Sequence, residues 1–206
     1  MKTITDLKPQ LKNGKRVSVY LNGSYYCGLD LLTVMKFRLK VGSEIEESEL
    51  IEIQKNSEAQ ACFDRALNVI SKSVKTEKEI LDKLTKKGYL KEIIDEVLVK
   101  LRSYGFADDK NYAERYISTY KGVKGKRLLK LELKKKGVKE SDSQEVLDGI
   151  ENEYETALKI AEKYVKNKEK DLKTLQKCYK YLLSKGFSYE DSLEASKKAV
   201  NIDEDI

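Results

Sequence analysis

The chain has 206 residues, 40% of them apolar, and its 41 lysines and arginines outweigh 35 acids to give a formal net charge of +6. That composition suits thin helical layers rather than one large core, and the absence of histidine removes histidine bases, histidine-paired nucleophiles and most transition-metal sites. Cys27, Cys62 and Cys178 are odd in number without CxxC spacing, so they read as free buried thiols. No apolar run nears the ~18 residues of a membrane span, nor is there a signal core, so the chain reads as cytoplasmic.

Residues 1–57 form a region of their own. Over residues 15–21 the pattern alternates, with Val17, Val19 and Leu21 on one face, and Asn22-Gly23 precedes a second β-prone run from Tyr25 to Gly28. Asn-Gly between such runs predicts a β-hairpin. Asp30 is placed to start a short helix reaching about Arg38, and Ser48 to cap a next one carrying Leu50, Ile51 and Ile53.

From residue 58 to residue 200 the periodicity is helical, and it repeats. Lys87-Gly88, Lys136-Gly137 and Lys185-Gly186 stand 49 residues apart. Leu84, Leu133 and Leu182 precede the glycines by four residues, and Tyr89, Val138 and Phe187 follow them by one. A fixed period of this length marks repeats that bury their apolar faces on one another. The first repeat predicts helices over 58–72, 77–87 and 91–103. Thr76 with Glu79 fits a capping box for its middle helix, and Gly125 and Thr174 hold the same phase as Thr76. The three glycines suit helix C-caps, with each preceding lysine facing the negative helix end. The expected organisation is therefore 1–57, then three-helix repeats over 58–107, 108–150 and 151–206, the last with an acidic tail, Asp203, Glu204 and Asp205.

The second repeat carries the strongest local charge. Between Lys121 and Lys139 lie nine cations, Lys121, Lys124, Lys126, Arg127, Lys130, Lys134, Lys135, Lys136 and Lys139, against Glu132 alone. At 100° per residue, Lys126, Arg127, Lys130 and Lys134 share one sector of the middle helix, and Leu129 and Leu133 fall outside it. Such a face repels itself and gains from an anionic partner. The competing reading is a solvated lysine face balanced by acids on neighbouring helices. Candidate binding residues are Lys121, Lys124, Lys126, Arg127, Lys130, Lys134 and Lys135. Tyr112, Tyr116 and Tyr120 recur every four residues and read as a core stripe in preference to a base-stacking ladder. Asp108 and Asp109 read as a helix cap, not a metal site. No Walker loop or dinucleotide fingerprint is present, and no catalytic, cofactor or metal site is expected.

These motifs resemble the RecX family, bacterial regulators of the RecA recombinase. Gly105-Phe106-Ala107-Asp108-Asp109 with Tyr112-Ala113 and Tyr116 is similar to the family's G-x-L-D-D-x-x-F-A-x-x-F, with Ala107 in place of leucine. Gly125-Lys126-Arg127 through Glu132-Leu133 to Lys136-Gly137-Val138 is similar to its G-x-R-x-I-x-x-E-L-x-x-K-G-I. Ala66-Leu67, Lys75-Thr76-Glu77-Lys78-Glu79 and Leu84 with Lys87-Gly88 resemble the corresponding motif of its first repeat. The resemblance implies a mainly α fold: an elongated, curved tandem array of three three-helix repeats behind a small N-terminal β-hairpin and helix region. It further implies a monomer without catalysis or cofactor that binds RecA filaments on single-stranded DNA and most often inhibits them. Two other classes stay open: a helical-repeat protein acting on nucleic acid directly, and a protein-binding helical adaptor.

Overall fold

A computed structural model describes residues 1–11 and 13–201; the acidic tail lies outside the described residues. The elements are β1 (Lys2–Gln10), β2 (Asn13–Leu21), β3 (Ser24–Asp30), α1 (Leu31–Lys36), β4 (Glu44–Ile45), α2 (Glu47–Ile70), α3 (Glu77–Thr85), α4 (Lys91–Ser103), α5 (Asp109–Tyr120), α6 (Lys126–Lys135), α7 (Glu140–Asp148), α8 (Glu153–Val165), α9 (Leu172–Ser184) and α10 (Tyr189–Val200). The chain is mainly helical, as its periodicity predicts. It divides into two compact units, one of Met1–Lys75 with Ile80–Ala107, the other of Thr76–Glu79 with everything from Asp108 onward. The division therefore falls inside α3, after its first turn.

In the first unit the expected hairpin is present, with Asn22 and Gly23 both at positive φ, 48° and 86°. It belongs to a larger sheet of order β3-β2-β1-β4, antiparallel throughout. β1 was not expected from the residue pattern, because Ile4 is its one fully buried side chain. Ile4, Val17, Val19, Leu29 and Ile45 form the sheet's share of a core closed by Leu50 and Ile53 of α2. Asp30 caps α1 as expected, accepting from the Leu32 amide at 2.9 Å. Ser48 does not cap α2: Glu46 is the N-cap residue and makes no side-chain bond there. The helix expected from Ser48 and the one expected over 58–72 are one helix of 24 residues. Nothing between them breaks it, and mid-helix Ser57 is buried because its hydroxyl accepts from the Asp30 amide at 2.9 Å. Its C-terminal half packs with α3 and α4 through Cys62, Ala66, Leu84, Ile94, Val97 and Leu101.

The second unit holds two further helical cores. Ala113, Ile117, Leu129, Leu133 and Leu147 join α5, α6 and α7, and Ala157, Ala161, Cys178, Leu182 and Ala195 join α8, α9 and α10. All three Lys-Gly pairs close their helices in the same way. Gly88, Gly137 and Gly186 sit at φ 86°, 88° and 89°, where a side chain is strained. Each donates to the carbonyl three residues back, and the next residue donates five back: Tyr89 to Leu84, Val138 to Leu133, Phe187 to Leu182. That is a Schellman motif, whose apolar contact is the leucine with its Tyr, Val or Phe. Leu84, Leu133 and Leu182 are at most 1% exposed, and full burial of a leucine contributes about 1.5–3 kcal/mol.

The helix starts divide. Thr76 and Glu79 form the expected capping box: the Glu79 amide donates to Thr76 Oγ1 at 3.2 Å, and the Thr76 amide to Glu79 Oε2 at 3.3 Å. Gly125 is the N-cap residue of α6. Thr174 is not a cap: α9 begins three residues earlier, with Asp171 accepting from the Thr174 amide at 2.7 Å. A carboxylate one turn upstream outcompetes the in-phase threonine, which is buried instead.

Candidate polyanion-binding site

The site is built on α6, whose leucines set its orientation. With Leu129 and Leu133 buried at 0% and 1% exposure, Arg127, Lys130 and Lys134 on the opposite side are exposed, and Lys126 is half-buried. Lys121 and Lys135 are exposed as well. The structure sorts these cations by what they already touch. Lys124 faces inward, its ammonium 2.7 Å and 2.8 Å from the two Glu132 oxygens and 4.3 Å from the Tyr120 ring centroid. Burial disfavours the Lys124 charge, but bonds to Glu132 and Tyr116 more than compensate, so its pKa is raised. Burial likewise works against ionised Glu132, and Lys124 with Tyr116 overcomes it to leave that carboxyl below its ordinary value. Lys136 is held by the Tyr112 hydroxyl and the Glu79 carboxylate, 2.9 Å away, which raise its pKa well above the usual lysine range.

Tyr112, Tyr116 and Tyr120 pack along the α5–α7 core as a stripe. Tyr112 and Tyr116 stack at 6.0 Å and 15°, Tyr116 and Tyr120 lie 4.7 Å apart, and Lys124 and Lys136 sit over their rings. Lys130 pairs with Glu140 in an exposed bridge, and the Arg127 guanidinium lies 4.6 Å from the Tyr189 ring centroid. Lys121, Lys134 and Lys135 make no ion pair among the described residues. The exposed cations of α6 are therefore Arg127, Lys130, Lys134 and Lys135, with Lys126 half-buried, Lys124 turned inward, and Lys121 exposed at the end of α5.

One recurring arrangement in the second unit was not foreseen. The first turn of α3 meets the cap of α6: Thr76 Oγ1 donates to the Lys136 carbonyl at 2.7 Å, and Lys78 Nζ to the Lys135 carbonyl at 3.1 Å. The first turn of α6 meets the cap of α9 likewise, with the Gly125 amide donating to the Lys185 carbonyl at 2.9 Å and the Arg127 amide to Gly186 at 3.2 Å. Acids complete both junctions: Asp109 accepts from the Glu77 amide at 2.9 Å, and Glu153 from the Lys126 amide at 2.7 Å. Burial pushes the Asp109 carboxyl up, against the helping bond from the Glu77 amide. Asp108 caps α5 as expected, accepting from the Asn111 amide at 2.9 Å. The shared phase of Thr76 and Gly125 was the available signal. The 60-residue step from each to its cap was invisible without the fold.

Four family models match the chain in sequence order: the regulatory protein RecX N-terminal domain over residues 2–46, and the RecX first, second and third three-helix domains over 62–101, 108–147 and 151–195. The chain belongs to the RecX family. Proteins named regulatory protein RecX from Clostridium beijerinckii and Bacillus subtilis are 36% and 34% identical; each alignment spans 100% of this chain, with 99% and 80% of the relative. A crystal structure of regulatory protein RecX superposes with a TM-score of 0.70 at 27% identity over 98% of this chain and all of that one. One of RecX from Lactobacillus salivarius gives 0.63 at 30% identity over 70% of this chain and 98% of the other. In RecX terms, α6 is the middle helix of the second three-helix domain. Among the described residues no helix is long and apolar enough to cross a membrane, and no group of three or more Cys, Asp or Glu side chains is arranged to hold a metal.

Proposed function

We propose that this RecX protein binds the RecA recombinase filament on single-stranded DNA and restrains its ATPase and recombination activity, as a cytoplasmic monomer and without chemistry of its own. The observation that carries the reading is the α6 face. Exposed Arg127, Lys130, Lys134 and Lys135 project from a helix anchored by Leu129 and Leu133, and exposed Lys121 stands at the end of the preceding helix. A filament coated on DNA is a dense polyanion, and a partner lying along it gains by presenting cations. Lys124 supports this face from behind, by holding Glu132 and the tyrosine stripe in place.

The test is single-stranded-DNA-dependent ATP hydrolysis by the cognate RecA, with and without the protein. The triple variant Lys121→Gln, Lys134→Gln, Lys135→Gln removes charges with no structural ion pair, so it is expected to fold normally and lose most of the effect. Full restraint of RecA by the folded variant would refute the assignment of the site. No effect of the wild-type chain on ATP hydrolysis would refute the function.

A further inference from the structure

A second cationic site lies in the first unit, remote in sequence from α6. Between the C-terminal halves of α2 and α3 runs a groove of about 430 Å3 lined by Arg65, Lys72, Lys83, Lys86 and Lys87, with Asn68 beside them. No carboxylate lines it, and Val69 is its single apolar side chain. All five cations are exposed, and none makes an ion pair among the described residues. Part of this charge answers the two helix ends, but a helix C-terminus carries only about half a negative charge. Two such ends leave most of the five cations uncompensated.

The other caps show what the local geometry otherwise does. An added Cβ at Gly137 would meet the Lys78 side chain at 2.5 Å, and one at Gly186 would run into Leu128, because each of those caps receives the first turn of another helix. The groove between α8 and α9 beside Lys185 is closed on one side by Gly122 and Val123 of the α5–α6 loop. At Gly88 an added Cβ meets nothing within 4 Å.

We infer that the α2–α3 groove binds the phosphodiester backbone of a single nucleic-acid strand. Lysines acting as point charges suit phosphate, and with Val69 as the one apolar residue of its lining the groove would recognise an occupant by charge rather than by an apolar anchor. A groove between two helices follows one extended strand. The site does not rest on the α6 reading, and either can fail alone.

The experiment is fluorescence anisotropy of the full chain with a labelled oligo-dT strand across a salt series. The triple variant Lys72→Gln, Lys83→Gln, Lys87→Gln is expected to flatten the log–log salt slope by about 2, at roughly 0.7 per phosphate contact on single strands. Lys72→Gln alone, beyond the end of α2, should flatten it by about 0.7 without touching either helix. The matching triple lysine-to-arginine variant should keep the wild-type slope. An unchanged slope in the glutamine variants, no binding of oligo-dT by the wild type, or competition by polyglutamate as strong as by unlabelled oligo-dT would each overturn the inference. Loss of oligo-dT binding with RecA restraint retained would support this groove as a site separate from α6.

Discussion

Replacing each cap glycine by alanine separates backbone strain from docking. Gly88, Gly137 and Gly186 share nearly the same φ, 86° to 89°. The left-handed conformation costs an alanine about 1–2 kcal/mol, and about 0.4–1 kcal/mol returns because the unfolded chain is less free. At Gly88, where the new Cβ meets nothing within 4 Å, the net loss should be about 1 kcal/mol. At Gly137 it meets Lys78 Cβ at 2.5 Å and Cδ at 2.7 Å. Lys78 Cβ is fixed to its backbone, so the first turn of α3 must shift, weakening the Lys78 and Thr76 bonds to the Lys135 and Lys136 carbonyls, and the loss should rise to about 2 kcal/mol. At Gly186 the obstacle is the backbone of Leu128, which cannot swing. The first turn of α6 must then leave the cap, giving up the Gly125–Lys185 and Arg127–Gly186 bonds at about 1 kcal/mol each, for a total of about 3 kcal/mol or more. Two compact units make a single two-state fit unsafe. Amide hydrogen exchange in α3, α6 and α9 is therefore the assay, with circular-dichroism melts as the global check. Equal losses at the three positions would refute the docking argument and leave only the shared φ.

Thr76→Ala should destabilise the second unit by about 1–2 kcal/mol, because Oγ1 both caps the Glu79 amide and donates to the Lys136 carbonyl; Thr76→Ser should recover most of it, read by exchange at the Glu79 amide. Glu132, held below its ordinary pKa of 4.5, contributes stability that is complete above that value and is lost as pH falls through the lowered one. Melting temperatures taken from neutral pH downward should therefore fall more steeply below pH 4.5 in the wild type than in Glu132→Gln, and parallel curves would contradict the pairing. Burial pushes the Cys27 and Cys62 thiols up to about 11, so both should resist a thiol reagent at neutral pH in the native protein and react on denaturation; prompt labelling of the folded chain would show the cores to be open.

What was legible in the sequence was local chemistry. The capping box at Thr76, the Asn22-Gly23 turn and the three Lys-Gly caps each involve residues a few positions apart, so pattern and geometry coincide. β1 escaped because a strand with a single fully buried residue and a proline at position 9 carries almost no alternation; its place comes from hydrogen bonds to β2 and β4. The cationic sector of α6 was equally visible, but the partners of its neighbours were not. Glu79 reaches Lys136 across 57 residues, and Tyr189 and Glu153 arrive from later helices.

The repeat itself illustrates the division between local and distant causes. Thr76 and Gly125 differ by 49 positions, and so do the Lys136 and Lys185 carbonyls they meet. Each first turn thus stands 60 residues from the cap that receives it. Glycine is required twice over at position 186, by its φ and by the backbone of Leu128, and at position 88 by its φ alone. Three identical dipeptides in the sequence thereby occupy unequal positions in the fold. The one where an added Cβ would meet nothing within 4 Å stands beside Arg65, Lys72, Lys83, Lys86 and Lys87, a surface left to be matched by an anion.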